Sequence, residues 1–524
     1  MRNGRVWGAL NGASLVLIAL WAGAGQARGD YAQTLGIGQK STNLGGAVSA
    51  TADDYDVFYT NPAGAANFTG PFIGIGVKTL DTRTLKAKQV DAASPIPPGI
   101  GNVLNQIVNP DIFEAPREGL DVSPESTLPG QDIAFVPSAG AYMPLPGMPN
   151  VVIGVGFGAP FVVSANFGND DAPGNYAKFN ATSASILVLE ASPTIGVKVN
   201  DKLNIGASIG ITTLKYLQLS ADLGTSVGTG SVASANLESD SDIGVPFAPT
   251  EFSTSPTDVS FTLGLQYKIT PRLSFGATYR SETPETFDGP ASVDVAPIGV
   301  FGFDPLGGFT QDGRFNIGIE LPRHIQAGLA YEVTPQWRVM GDVRWTNWSD
   351  AKGFGSPAVF NISGIDIGGQ IQNQLGGFGF PPSAPTETLT INYKANDTFS
   401  LHLGTSYKLT PQLELQAGYV YDPSFNSEPT ADLITFSSNR HIASLGGTYI
   451  QPTDHGRWEF TLGGQIAYYE GRTIDAGESA TAGGVDNVIE AIVTGDDTLE
   501  FQKNSLGGLE LGGYVWVCRR IAFL

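Results

Sequence analysis

Five segments of the chain repeat one design: an alternating run, a tight polar turn and a second alternating run. They read "IGVKVNDKLNIGASIGI", "FTLGLQYKITPRLSFGATYR", "IQAGLAYEVTPQWRVMGDVRW", "FSLHLGTSYKLTPQLELQAGYVY" and "SLGGTYIQPTDHGRWEFTLGGQIAYY". In the second, Phe261, Leu263, Leu265, Tyr267 and Ile269 share one face, and Thr262, Gly264, Gln266 and Lys268 share the other. The return run repeats this with Leu273, Phe275, Ala277 and Tyr279 against Ser274, Gly276 and Thr278. Alternation with period two over about ten residues marks a strand with one apolar and one polar face. Thr270-Pro271, Thr334-Pro335 and Thr410-Pro411 set proline where a turn uses its fixed φ.

Strands are expected near 71–80, 131–145, 150–162, 183–199, 203–217, 257–269, 272–282, 317–333, 336–349, 396–409, 412–423, 441–451, 457–471 and 505–524. That is about fourteen, an even number, with short turns at one rim and long Gly/Pro/Asp-rich connections at the other. The fold class that follows is all-β: a transmembrane antiparallel β-barrel. An open sheet edge in lipid would leave N–H and C=O groups unsatisfied, so the sheet must close. Tyr267, Tyr331, Trp337, Trp345, Trp348, Tyr407, Tyr421, Trp458, Tyr468 and Tyr469 fall near strand ends, where girdle aromatics sit. A soluble sandwich also alternates, but its strands are shorter and its inner face is not Gly, Thr, Ser, Gln and Lys.

The first 27 residues read as a signal peptide. Arg2 and Arg5 precede an apolar stretch, and Gly25-Gln26-Ala27 supplies small residues before a cleavage site. This segment holds no acid, so its loss moves the formal net charge from −21 to −23. Such a charge excludes a basic nucleic-acid face. Cys518 is the single cysteine, so no intramolecular disulfide forms. The expected domains are 1–27 signal peptide, 28–70 plug and 71–524 barrel. The plug assignment follows from about forty mature residues ahead of the first strand, too few for a separate domain.

Within that plug, "GQKSTNLGGAVSATADDYDVFYTNPAG" resembles the N-terminal hatch of the FadL/TodX family, outer-membrane transporters of long-chain fatty acids and aromatic hydrocarbons. "LPRHIQAGLAYEVTPQWRVMGDVRWTNWSD" resembles that family's central hairpin, and "LQAGYVYDPSFN" its late strand and loop. The resemblance runs from about residue 31 to the C-terminus. It implies a fourteen-stranded barrel in the Gram-negative outer membrane, plugged by a hatch in its lumen, with both mature termini periplasmic. It also implies energy-independent uptake of hydrophobic molecules, and it makes Asn61, Pro62 and Ala63 the hatch motif. The expected partners are a hydrophobic ligand, outer-membrane lipid and lipopolysaccharide, and the barrel-assembly machinery; a monomer is expected, with no cofactor.

An apolar cargo released into water would forfeit about 0.8 kcal/mol per methylene, so a sideways exit into the bilayer is expected. In "VVIGVGFGAPFVV", Gly154, Gly156 and Gly158 face inward by the alternation and carry no side chains, and Pro160 removes a ladder donor. These four residues are the candidate exit, helped by the third-strand kink that the family implies. In "IPPGIGNVLNQIVNPDIF", Ile100, Val103, Leu104, Ile107 and Val108 recur at helical spacing, with Phe301, Phe303, Leu306 and Phe309 as a facing surface. This stripe either receives ligand or packs on another loop.

Asp53, Asp54 and Asp56 lack the spacing and glycine of an EF-hand loop, so capping or pairing of the plug with wall Arg and Lys is favoured over a cation site. The histidines His324, His402, His441 and His455 lie in no nucleophile or metal motif, which argues against a barrel hydrolase. A porin for small polar solutes remains the alternative, opposed by the plug and the apolar loop stripes.

Overall fold

The alternating runs do form strands, and their faces divide as the pattern requires. Ile73 is 71% exposed and Leu445 70%, whereas Gln266 is 7% and His402 0% exposed. Apolar side chains therefore stand on the outside of the sheet and polar ones inside, the inverse of a soluble protein and the arrangement that lipid demands. The computed structural model describes residues 37–80, 87–89, 121–122, 134–166, 183–224, 231–239, 242–243, 258–295, 298–300, 303–366, 370, 373, 388–426, 439–454, 456–470, 472–474, 509–511 and 514–523.

Fourteen strands make the wall: β1 (Phe72–Leu80), β2 (Ala134–Leu145), β3 (Met148–Asn166), β4 (Ser183–Lys198), β5 (Leu203–Gly224), β6 (Val259–Thr270), β7 (Leu273–Arg280), β8 (His324–Glu332), β9 (Trp337–Thr346), β10 (Thr398–Lys408), β11 (Leu413–Asp422), β12 (Arg440–Thr453), β13 (Gly456–Tyr469) and β14 (Tyr514–Phe523). Each pairs antiparallel with the next. β14 then returns to β1, with Phe523 opposite Ile75, and the circuit closes.

The three Thr-Pro turns share a mechanism. Thr270 Oγ1 accepts from the N–H groups of Arg272 (3.2 Å) and Leu273 (3.0 Å). Thr334 does the same for Gln336 and Trp337, and Thr410 for Gln412 and Leu413. Asn200 Oδ1 plays the same part toward Lys202 and Leu203. A short side-chain acceptor thus replaces the missing backbone partner and fixes each hairpin's register.

Two expectations need correction. The strand expected over 317–333 is two strands, because Pro322 and Arg323 interrupt it. Residues 309–321 leave the circuit and pair with 283–295 and 358–363, extending the same sheet at the rim that bears the long connections. Trp348 is no girdle residue: it is fully buried and stacks on Phe425, ring centroids 4.3 Å apart. The exposed Tyr267, Tyr331, Trp337, Tyr407, Trp458 and Tyr468 do stand outward at strand ends.

Residues 37–70 form two short helices, α1 (Gln39–Asn43) and α2 (Val57–Thr60), and a 3-10 turn, Pro62–Asn67. Gly45 and Gly46, at φ +63° and +74°, end α1 in the left-handed conformation and return their N–H groups to Thr42 and Ser41. Phe68 then stacks on Phe72 at 4.4 Å, leading the segment into β1.

Candidate functional site

Helices of four and five residues leave most of their backbone polar groups without internal partners. Here the inward side chains of the wall supply them. His402 Nδ1 donates to the Gly45 carbonyl (2.7 Å) while Ser400 Oγ donates to its Nε2 (3.0 Å). Gln326 donates to the Gly46 carbonyl (2.8 Å), Ser444 to Asn43 (2.9 Å), Gln465 to Thr42 (3.2 Å) and Ser208 to Phe58 (2.6 Å). Tyr142 donates to the Tyr55 carbonyl (2.8 Å), and Asp342 accepts from the Ser49 N–H (2.9 Å).

Asn61 is the densest of these junctions. Its Oδ1 accepts from Ala63 N–H (3.1 Å), capping the 3-10 turn. Its Nδ2 lies within hydrogen-bond range of the carbonyls of Ser49 (2.7 Å), Leu265 (3.0 Å) and Ala277 (3.4 Å). Leu265 and Ala277 are paired residues of β6 and β7, so one side chain ties the turn to two adjacent strands. Pro62 occupies the first position of the turn, where its missing N–H costs nothing. Ala63 is fully buried.

This close seating is possible because the facing wall positions are glycines. A Cβ added at Gly206 or Gly264 would strike Pro62 and Asn61; at Gly276, Ser49; at Gly418, Gly45; at Gly446 or Gly463, Asn43. At Gly196 it would meet Ala65 and Ala66. The sequence displayed these glycines only as small inward residues. Together they form a belt that admits the backbone of residues 37–70 against the wall. Gln266, on the same inward face, donates to the Ala52 carbonyl (3.2 Å) and accepts from Asn67 (3.0 Å). The missed signal is a glutamine or histidine at mid-strand on the same inward face as these glycines.

Within residues 37–70 the acidic cluster ties the segment to itself. Asp53 pairs with Lys40 (2.7 Å). Asp56 accepts from the Gly38 N–H (2.8 Å) and from Ser41 Oγ, closing residues 38–56 into one loop. Asp54 is buried and accepts from the Tyr55 N–H (2.8 Å). Burial, and then the neighbouring Asp56, push its carboxyl up to about 8. Among the described residues no group of His, Cys, Asp or Glu is arranged to hold a metal ion.

The wall departs from regularity at β3. Its pairing with β2 runs from Pro144 to Ala139, opposite Phe157, and stops there, although β2 extends back to Ala134 and β3 onward to Asn166. On the other side, Gly158 faces Glu190 and Phe161 faces Val188. Ala159 and Pro160 therefore oppose Leu189 alone, a β-bulge. Pro137 on β2, paired to Val77, lacks a donor as Pro160 does, so the seam between β2 and β3 carries a proline on each side.

Gly154, Gly156 and Gly158 do face inward, but they do not leave an open lumen. A Cβ at Gly156 would overlap the Phe58 ring, and at Gly158 it would lie 2.7 Å from Ile37 Cγ2 and 3.3 Å from Phe58 Cζ. At Gly154 it would strike Tyr142. The hatch and the wall's own tyrosine fill the space. Ile100, Val103, Leu104, Ile107, Val108 and Phe301 lie outside the described residues, as does the side chain of Phe303. Phe309 begins the strand 309–321 and is half-buried.

A profile of the family described as outer membrane protein transport protein (OMPP1/FadL/TodX) matches residues 18–456. Among solved structures, a Pseudomonas aeruginosa FadL homologue is similar at a TM-score of 0.60 and 14% identity, over 95% of this chain and 98% of that one. The Pseudomonas putida toluene transporter TodX gives 0.56 and 15%, over 95% and 98%. The Ralstonia pickettii toluene transporter TbuX gives 0.56 and 13%, over 93% and 98%. At such identities the likeness speaks for the fold. The Neisseria meningitidis serogroup B protein NMB0088 is 24% identical over 213 residues, which span 37% of this chain and only 42% of that protein. With the profile spanning most of its length, and the barrel and the asparagine-anchored turn in place, the chain belongs to the OMPP1/FadL/TodX family of outer membrane transport proteins.

Proposed function

We propose that this chain is a passive outer-membrane channel for small hydrophobic molecules, with residues 37–70 as its hatch and the β2–β3 seam as its exit. The observation that carries the reading is the seam itself: two strands lie side by side and cease to pair, at a bulge, beside the hatch. A barrel in lipid gains from every ladder bond, so an interrupted ladder needs a reason. Sideways release supplies one, because cargo then stays in an apolar medium throughout and keeps its roughly 25 cal/mol per Å² of burial. The loop stripe at 100–108 and the aromatics at 301–309 are the proposed capture surface.

Charge favours uncharged cargo over a fatty-acid anion. Arg280 is paired with Glu190, Lys215 with Asp258 (2.8 Å) and Arg440 with Asp422 (2.6 Å), so these buried cations are already taken. No catalytic role is assigned. The test is uptake of radiolabelled toluene, dodecanol and laurate by cells bearing the chain in an outer membrane stripped of its own hydrophobe channels. Faster entry of the two neutral probes is expected, with no sugar-driven swelling of reconstituted liposomes. Entry no faster than in cells without the chain would refute the transport reading, and swelling in sugars would replace it with a porin.

A further inference from the structure

The exit residues raise a question of access, since the inward face of the seam is filled. Phe58 is 0% exposed, and its ring occupies the place of two absent side chains, with Ile37 against it at Gly158. Ile37, Phe58 and Tyr59 form one apolar cluster. The ring lies at the last paired residues below the bulge, since Gly158 is the final position in register before Ala159 and Pro160. Its backbone is fixed by Ser208, which donates to the Phe58 carbonyl at 2.6 Å. Tyr59 beside it lies under the Arg280 guanidinium, 5.3 Å from the ring centroid.

A second observation separates this seat from ordinary packing. Across the ladder, Gly156 faces Ser192 and Gly158 faces Glu190. Both residues are inward and buried, at 1% and 0% exposure. Yet Ser192 Oγ and Glu190 Oε2 have no hydrogen-bond partner. Buried polar atoms are normally satisfied, because each one left bare costs about 1–3 kcal/mol. A wall shaped only to hold a phenyl ring would carry apolar residues there. Glu190 Oε2 lies toward Gly210 on β5, so it is Ser192 Oγ, on the strand that faces the notch, whose bareness fits a passage that is filled part of the time.

We propose that Phe58 is the gate of the lateral exit: seated in the Gly156–Gly158 notch it closes the inner mouth of the β2–β3 seam, and cargo passes when it swings out. The proposal rests on the lateral-release reading above. A phenyl ring suits the role because it fills the notch by dispersion alone, with no hydrogen bond of its own to break. A hydrophobic cargo can replace its contacts in kind, so opening is coupled to occupancy.

The decisive experiment is a reversible lock. Phe58→Cys with Gly156→Cys, made in a Cys518→Ser background, leaves those two thiols as the only ones in the chain. Uptake of labelled toluene is measured after oxidation and again after reduction, with the crosslink read by mass spectrometry and barrel folding by heat-modifiable gel mobility. Oxidation should stop uptake and reduction restore it. As a second variant independent of the crosslink, Phe58→Ala should raise entry of a bulky hydrophobe relative to toluene about tenfold, the gating side chain being gone. Uptake that is indifferent to a confirmed disulfide, or an unchanged size ratio in Phe58→Ala, overturns the gate and leaves the transport reading standing. Absence of uptake by the unaltered chain overturns both.

Discussion

Two junctions of the same wall behave in opposite ways. Where β6 meets β7, the ladder is regular from Thr262 to Lys268, and the hatch reaches its carbonyls through Asn61. Where β2 meets β3, the ladder stops at Ala139; Tyr55 bonds to Tyr142 and Ser138 of β2, but Gly156 and Gly158 of β3 are met only by the apolar side chains of Phe58 and Ile37. β6, β7 and β2 hold the segment by directional bonds, and the β3 notch holds it by dispersion. Directional bonds fix a position, whereas apolar contact permits exchange for another apolar surface. On the exit reading proposed above, the hatch is anchored to β2, β6 and β7 and yields at the β3 notch, as a plug must if it is to open at one place without leaving.

The contrast can be broken most strongly at Asn61. Asn61→Ala leaves the carbonyls of Ser49, Leu265 and Ala277 without this donor and Ala63 N–H without its acceptor. The expected loss is about 3 kcal/mol of hatch seating, or about a hundredfold rise in brief openings in single-channel recordings. Openings as rare as in the unaltered chain would show that the anchored side is not anchored there.

A smaller effect should come from pH through Asp54, which has its carboxyl near 8 in the seated hatch against 3.8 when free. Between about pH 4 and pH 8 the unseated hatch is ionised here while the seated one keeps its proton. Seating therefore weakens as pH rises through this window and stays at its weaker level above about 8. Opening frequency should climb from pH 5 to pH 9, and Asp54→Asn should flatten the climb. A profile unchanged by the substitution would place the titration elsewhere.

The smallest effect sharpens the open side. Pro160→Ala adds one N–H donor at the bulge, worth about 1 kcal/mol if it mends the ladder. Toluene uptake should fall a few-fold at unchanged conductance. Undiminished uptake would argue that the proline alone does not hold the seam apart.

Much of this molecule was legible because barrel strands in lipid obey a period that survives in the letters. Phe261 to Ile269 and Leu273 to Tyr279 announced their faces, and the Thr-Pro pairs announced their turns. The error at 317–333 arose because Pro322 was read through as a strand residue, while the pattern on both sides of it stayed apolar and alternating. Trp348 misled for a related reason: an aromatic at a strand end is a girdle residue only if it points to lipid, and past Thr346 the strand period no longer fixes direction. The inward glycines of β3 were placed on the right face but given an empty neighbour. A glycine in a sequence records that a side chain is absent, and only the fold tells what has moved into its place.

The glycine belt also has a consequence for how the protein is made. Thr42 is bonded to Gln465, 423 residues later, and Asn43 to the Leu462 carbonyl, 419 residues later. Contacts of such sequence separation form slowly, since the chain between them must be ordered first. Thr42 and Asn43 therefore wait for much later strands before they find these partners. Seating of residues 42 and 43 thus waits on β12 and β13, the last two strands before the one that closes the circuit.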